Sequence, residues 1–137
     1  MSKQYNLFIS HSWKYSDAYE KLVKMLDIQG IEYKNYSVPQ NSPLHTNGTD
    51  KDLYNAIKAQ ISPCSVIIIL AGVYSSYSKW IDKEITICKN EFSNPKKIIA
   101  IEPWGSEKTS LKVKNNADKI VKWNSKSIAD AIKELGV

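Results

Sequence analysis

Arginine is absent from the chain: all 19 basic residues are lysines, set against 14 acids for a net charge of +5. Arginine is the usual donor for bidentate contacts to bases and phosphates. The lysines are spread along the whole chain among acids, not gathered into a stripe, which argues against a nucleic-acid surface. A modest positive field still favours a small anionic ligand such as a dinucleotide. Cysteine is nearly as scarce. Cys64 and Cys88 have no CxxC partner and no paired histidine spacing, so no metal site or disulfide framework is expected and both read as buried thiols. Long apolar runs are missing too. The longest, Val66 to Ala71, has six residues, against the ~20 of a membrane-spanning helix, so no membrane association is expected. Met1 leads into a strand-like run without the apolar stretch of a secretory signal, which places the expected start of the mature chain here and the protein in the cytoplasm. Five Gly and five Pro among 137 residues exclude collagenous and low-complexity classes. What remains is one globular domain over 1–137, large enough to bury roughly two-thirds of its unfolded surface in a single core.

The apolar pattern alternates between strand and helix periods. Tyr5 to Ser10 reads as a short buried strand. From Ser16, Ala18, Leu22, Met25 and Leu26 recur at helical spacing, and Gly30 falls where a left-handed cap is wanted. Ile31 to Ser37 predicts a second strand, and Val38 to Gly48 a long loop of the length that is usually functional. A second helix is expected from Thr49, with Leu53, Ala56, Ile57 and Ile61 inward, ended by Pro63. Cys64 to Leu70 is continuous and β-branched, the mark of a strand covered on both faces of a parallel sheet. A third helix from about Lys79 carries Ile81, Ile85, Cys88 and Phe92 on one stripe. Lys97 to Glu102 and Ile120 to Trp123 predict two more strands, and Ser127 a last helix with Ile128, Ile132 and Leu135 inward.

This alternation, with right-handed crossovers, implies an α/β fold: a flavodoxin-like three-layer sandwich with a five-stranded parallel sheet in the order 2-1-3-4-5 and helices on both faces. Ligands of such sheets bind beyond the carboxyl ends of the strands, where the order reverses. The loops Ser10–Tyr15, Val38–Gly48 and Ala71–Trp80 are expected to meet there. A phosphoaccepting receiver is excluded, because strand three ends Leu70-Ala71-Gly72 without an acceptor Asp. A flavin site is disfavoured, since Ser10-His-Ser-Trp-Lys is a poor phosphate loop.

Trp80 and Glu84 lie one turn apart on the flank of the third helix's apolar stripe. That spacing places a carboxylate at the edge of the core beside an aromatic ring, where the positive helix end favours its ionised form. A carboxylate so placed can stabilise a developing cation, or can simply complement the helix dipole while Trp80 packs on the core.

Phe8-Ile-Ser-His-Ser after the first strand, the Tyr36-Ser-Val-Pro loop, Trp80-Ile-Asp-Lys-Glu-Ile after a Val-Ile-Ile-Ile-Leu strand, Ala117-Asp118 and Trp123 together resemble a TIR domain. Within that class the sequence is most similar to the TIR-like group of the ThsB proteins of the bacterial Thoeris anti-phage system. The resemblance implies that Glu84 is the catalytic residue that cleaves NAD between nicotinamide and ribose. It also implies that Ser10, His11, Ser12, Tyr36, Ser37 and Trp80 line the substrate site. NAD enters as substrate, with no resident cofactor and no metal. The expected product is an ADP-ribose-derived nucleotide, cyclic or conjugated, that diffuses to a nucleotide-sensing effector. TIR–TIR self-association is a further expected contact. The alternative reading is a non-catalytic TIR scaffold that acts through protein contacts, with Glu84 structural. The chain departs from familiar TIR domains in lacking an Arg near strand one, so Lys14 or backbone amides are the expected phosphate donors.

Overall fold

The computed structural model describes residues 4–10, 16–36, 50–70, 79–102 and 111–136. Its five parallel strands are β1 (Gln4–Ser10), β2 (Glu32–Asn35), β3 (Val66–Leu70), β4 (Lys97–Glu102) and β5 (Lys119–Lys122). They pair in the order β2-β1-β3-β4-β5, as the sequence pattern predicts. The helices are α1 (Ser16–Ile28), α2 (Asp50–Ile61), α3 (Lys79–Asn90), α4 (Leu111–Asn116) and α5 (Ser125–Leu135).

The central strand explains the architecture. With period-two alternation, Val66 and Ile68 of β3 face one side of the sheet and Ile67 and Ile69 the other, and all four are fully buried. On the first side lie Leu22 and Leu26 of α1 and Ile128 and Ile132 of α5. The second side is covered by Ile57 and Ile61 of α2, by Ile85, Ile87 and Cys88 of α3, and by Val113 of α4. Each buried Ile contributes about 1.5–3 kcal/mol of apolar burial, so the two layers hold the sheet from both faces. Leu7 pairs with Val66 and Ile101 with Leu70, which aligns the carboxyl ends of β1, β3 and β4 along one edge.

Capping sets the element ends. Gly30 has φ +68 and closes α1 in the left-handed conformation. The Ile31 N–H donates to Leu26 O at 3.0 Å, and both side chains enter the same buried layer. The last helix begins two residues earlier than the sequence pattern predicts. Asn124 is extended at the N-cap, and its Oδ1 accepts from the Ser127 N–H at 3.0 Å. Gln29 Nε2 donates to Ser125 Oγ at 3.0 Å and ties α1 to α5.

Two other expectations need correction. The short helix α4 was not expected, because Leu111–Asn116 carries no acid in its first turn and has only two apolar residues, Leu111 and Val113. The fifth strand runs Lys119–Lys122, one residue earlier than its apolar pattern suggests. Val121 is its one buried residue and Ile120 stands partly in solvent, as befits an edge strand. The predicted loop Val38–Gly48 and the Thr49 cap lie outside the described residues.

Candidate functional site

The chain reverses direction across the sheet between β1 and β3. From β1 it passes through α1 on one face to β2; from β3 it passes through α3 on the other face to β4. Crossovers that leave in opposite directions open a crevice at the carboxyl edge between the two strands. Ser10 ends β1 at this edge, its backbone paired with Ile69 of β3. Tyr36 follows β2. Its N–H donates to Leu7 O at 2.8 Å, and its ring packs half-buried against the α2–α3 layer, with the Lys34 ammonium 5.2 Å from the ring centre.

Glu84 sits in the second turn of α3, the helix whose N-terminus opens on the carboxyl edge. Its exposure is 3%. The spacing argument put this carboxylate on the flank of the apolar stripe at the edge of the core; the structure buries it instead. The covered face of α3 is broader than the predicted stripe and takes in Glu84, Ile85, Ile87 and Cys88 together, because the helix packs against both the sheet and α2. Taking a carboxylate out of water costs several kcal/mol, so a residue here is not selected for packing alone. Its charge is felt within the layer. After burial itself, Glu84 is the largest influence pushing the Cys88 thiol up to about 12.

Tyr36 packs against the α2–α3 layer, Glu84 is buried on α3, and the backbone of Ser10 lies at the end of β1. Trp80 lies in the first turn of α3, one turn before Glu84. His11, Ser12, Ser37 and Lys14 lie outside the described residues. Cys64 and Cys88 are buried free thiols, as expected.

One charged residue escaped the sequence reading. Glu102, the last residue of β4, is 5% exposed and accepts from Lys122 Nζ at 3.1 Å. The signal was present: Lys97-Ile-Ile-Ala-Ile-Glu is an apolar strand that ends on a carboxylate at the functional edge. Among the described residues no helix is long and apolar enough to cross a membrane, and no group of three or more His, Cys, Asp or Glu could hold a metal ion.

A doubly wound α/β domain with a buried acid on the helix after its central strand is the class that fold and site define. A family model described as the TIR-like domain of the Thoeris protein ThsB matches residues 8–108, and the chain belongs to that family. Among solved structures, a CheY-like response regulator receiver domain from Methylobacillus flagellatus aligns at TM-score 0.53 and 9% identity, covering 98% of this chain and 99% of the other. A protein described as a flavoprotein from Bacteroides eggerthii aligns at TM-score 0.45 and 15% identity, covering 100% and 99%. At such identities the receiver likeness speaks for the fold alone. No curated protein matches.

Proposed function

We propose that this TIR-like domain cleaves the nicotinamide–ribose bond of NAD and turns the ADP-ribose portion into a signalling nucleotide in anti-phage defence. The observation that carries this reading is the carboxylate of Glu84, buried in the second turn of α3, the helix that follows the central strand, in a chain of the ThsB TIR-like family.

The chemistry requires one carboxylate. Ordinary glycoside hydrolysis uses an acid to protonate the leaving oxygen and a second carboxylate for the sugar. In NAD the leaving group is a pyridinium. The C1′–N bond breaks with its electron pair passing to the ring nitrogen, and nicotinamide departs neutral. No general acid is needed. The ribose is left with oxocarbenium character, which a fixed negative charge stabilises most strongly where water is excluded. Water then adds at C1′ and gives ADP-ribose, with its proton lost to solvent. Attack by a hydroxyl or ring nitrogen of the same or another nucleotide gives a cyclic or conjugated product instead. A carboxylate as buried as Glu84 must be uncovered for substrate to reach it, so admission is expected to limit the isolated chain, and association between copies to relieve that limit.

The test is incubation of the chain with NAD and mass spectrometry of the small molecules. Nicotinamide and an ADP-ribose-derived partner should appear together. A filtrate of that reaction, free of protein, should then activate the effector. A filtrate that does nothing while intact protein activates on contact would establish the scaffold reading in its place.

A further inference from the structure

The two flanks of α3 are held by different partners. Glu91 continues the helix by one residue, its N–H donating to Ile87 O at 3.1 Å, and its carboxylate meets α2. The Tyr54 hydroxyl donates to Oε2 at 2.6 Å and Lys58 Nζ to Oε1 at 3.2 Å. Lys89 instead donates to Asp118 Oδ2 at 3.0 Å, beside β5. At about 100° per residue, Lys89 and Glu91 project about 160° apart, so one flank of α3 meets α2 and the other turns toward β5. Glu84 precedes Glu91 by seven residues and therefore projects within about 20° of it. Ile87 lies about 40° to the other side of Glu91 and is fully buried. The flank that α2 covers is the flank that carries Glu84.

On α2, Tyr54, Ile57, Lys58 and Ile61 form one stripe at helical spacing. Ile57 and Ile61 are buried with Ile85, Ile87 and Cys88, and the Tyr54 ring packs against the same layer. The apolar contacts of this seam have no preferred direction, whereas the bonds to Glu91 fix its register. The Tyr54–Glu91 bond is short and charge-assisted. Each partner keeps the other in its bonding state at neutral pH: the bond to Glu91 pushes the Tyr54 hydroxyl above its ordinary pKa, and Tyr54, then Lys58, hold Glu91 below its own. These bonds lie at the surface, so their net worth is modest. They bias a closed seam without locking it. The far flank of α3 is tied more firmly, because Asp118 also accepts from the Ile98 N–H at 2.8 Å and so anchors that side to the sheet backbone. Opening is therefore expected on the α2 side, over Glu84.

We propose that the Tyr54–Glu91–Lys58 tie controls admission to the Glu84 site. Closed, it holds α2 over the flank of α3 that carries the carboxylate; released, it uncovers that flank to the nucleotide. The proposal rests on the NAD reading above and names the cover that a carboxylate only 3% exposed requires. Tyr54, Lys58 and Glu91 are positioning residues. They stand about two helical turns from Glu84 and act on access, not on the bond that breaks.

Two readouts on the full-length chain test this. One is the kinetics of nicotinamide release from NAD; the other is iodoacetamide labelling of Cys88, followed by peptide mass spectrometry, which reports uncovering of the same layer without NAD. Tyr54→Phe, which keeps the ring, and Glu91→Gln should each speed Cys88 labelling about fivefold over the slow wild-type rate, the effect of losing one surface hydrogen bond to a charge. KM for NAD should fall by a similar factor, with kcat within about twofold, because a larger fraction of the chain is open to substrate. Lys89→Met breaks a tie on the opposite flank and should lower Tm while moving neither readout. If wild type cleaves NAD and the Tyr54 and Glu91 variants leave KM unmoved or raise it, the tie is structural and this inference alone falls. It falls also if Lys89→Met lowers KM as much, since general loosening then accounts for the effect. Cys88 labelling that stays at the wild-type rate in both variants overturns the covering role whatever NAD does. Variants that label faster as expected, in a chain that releases no nicotinamide in any form, overturn the NAD reading and the admission role with it, and leave α2 as the cover of Glu84.

Discussion

Glu84 stands one helical turn before Cys88 on α3, and both side chains are buried in the layer between that helix and the sheet. Burial, followed by the Glu84 charge, pushes the Cys88 thiol up to about 12. Burial likewise pushes Cys64 up to about 12, with Lys96 opposing it. The thiolate is the reactive form, so neither cysteine should react with iodoacetamide at about pH 8 in the native chain, and both should label after denaturation. Native labelling at the rate of a free thiol would contradict the burial of this layer.

Asp118 joins three elements. Its Oδ2 accepts from the Ile98 N–H at 2.8 Å and from Lys89 Nζ at 3.0 Å. Burial alone raises this carboxyl's pKa, but the Ile98 N–H and then Lys89 outweigh it and hold it below its usual value. A depressed folded-state pKa gives stability that is present above the unfolded value, ~3.9, and lost as pH falls through the folded one. Asp118→Asn should therefore cost about 1–2 kcal/mol at neutral pH, a Tm drop of roughly 3–8 °C. The gap between variant and wild type should close below about pH 4. Thermal melts across pH check this; a gap that widens in acid would contradict it.

At Gly30, φ is +68 and an added Cβ would meet nothing within 4 Å. Gly30→Ala therefore isolates backbone strain and should cost about 1–2 kcal/mol by urea denaturation. Asn should cost less and Val more. An Ala variant as stable as wild type would show that α1 does not need this cap.

The fold was legible where one physical signal dominated. Val66 to Leu70 could only be a doubly covered strand, and Gly30 after Leu26 could only be a cap. The start of α5 was read late, because Ser127 resembles a cap, whereas the oxygen that caps the helix belongs to Asn124. α4 has too few apolar positions to announce itself. At the site, the Trp80–Glu84 spacing located the acid on the right helix but not its depth, since burial depends on how α2 and the sheet close over α3. Glu102 was passed over because a terminal Glu on a strand usually marks the return to solvent; only the register with β5 and the covering helices show it to be buried.

The central claim is that the Glu84 charge stabilises a developing cation. The most direct measurement is NAD turnover by Glu84→Gln, followed as nicotinamide release under conditions where the wild-type chain is active. Gln keeps shape and hydrogen bonding but removes the charge. Turnover should fall by at least about 10²–10³-fold, the range for losing one preorganised electrostatic group. Tm should stay equal or rise, because a buried charge has been removed. A Glu84→Gln chain that releases nicotinamide within a few-fold of wild type would contradict the mechanism, and one that unfolds would show Glu84 to be a structural residue.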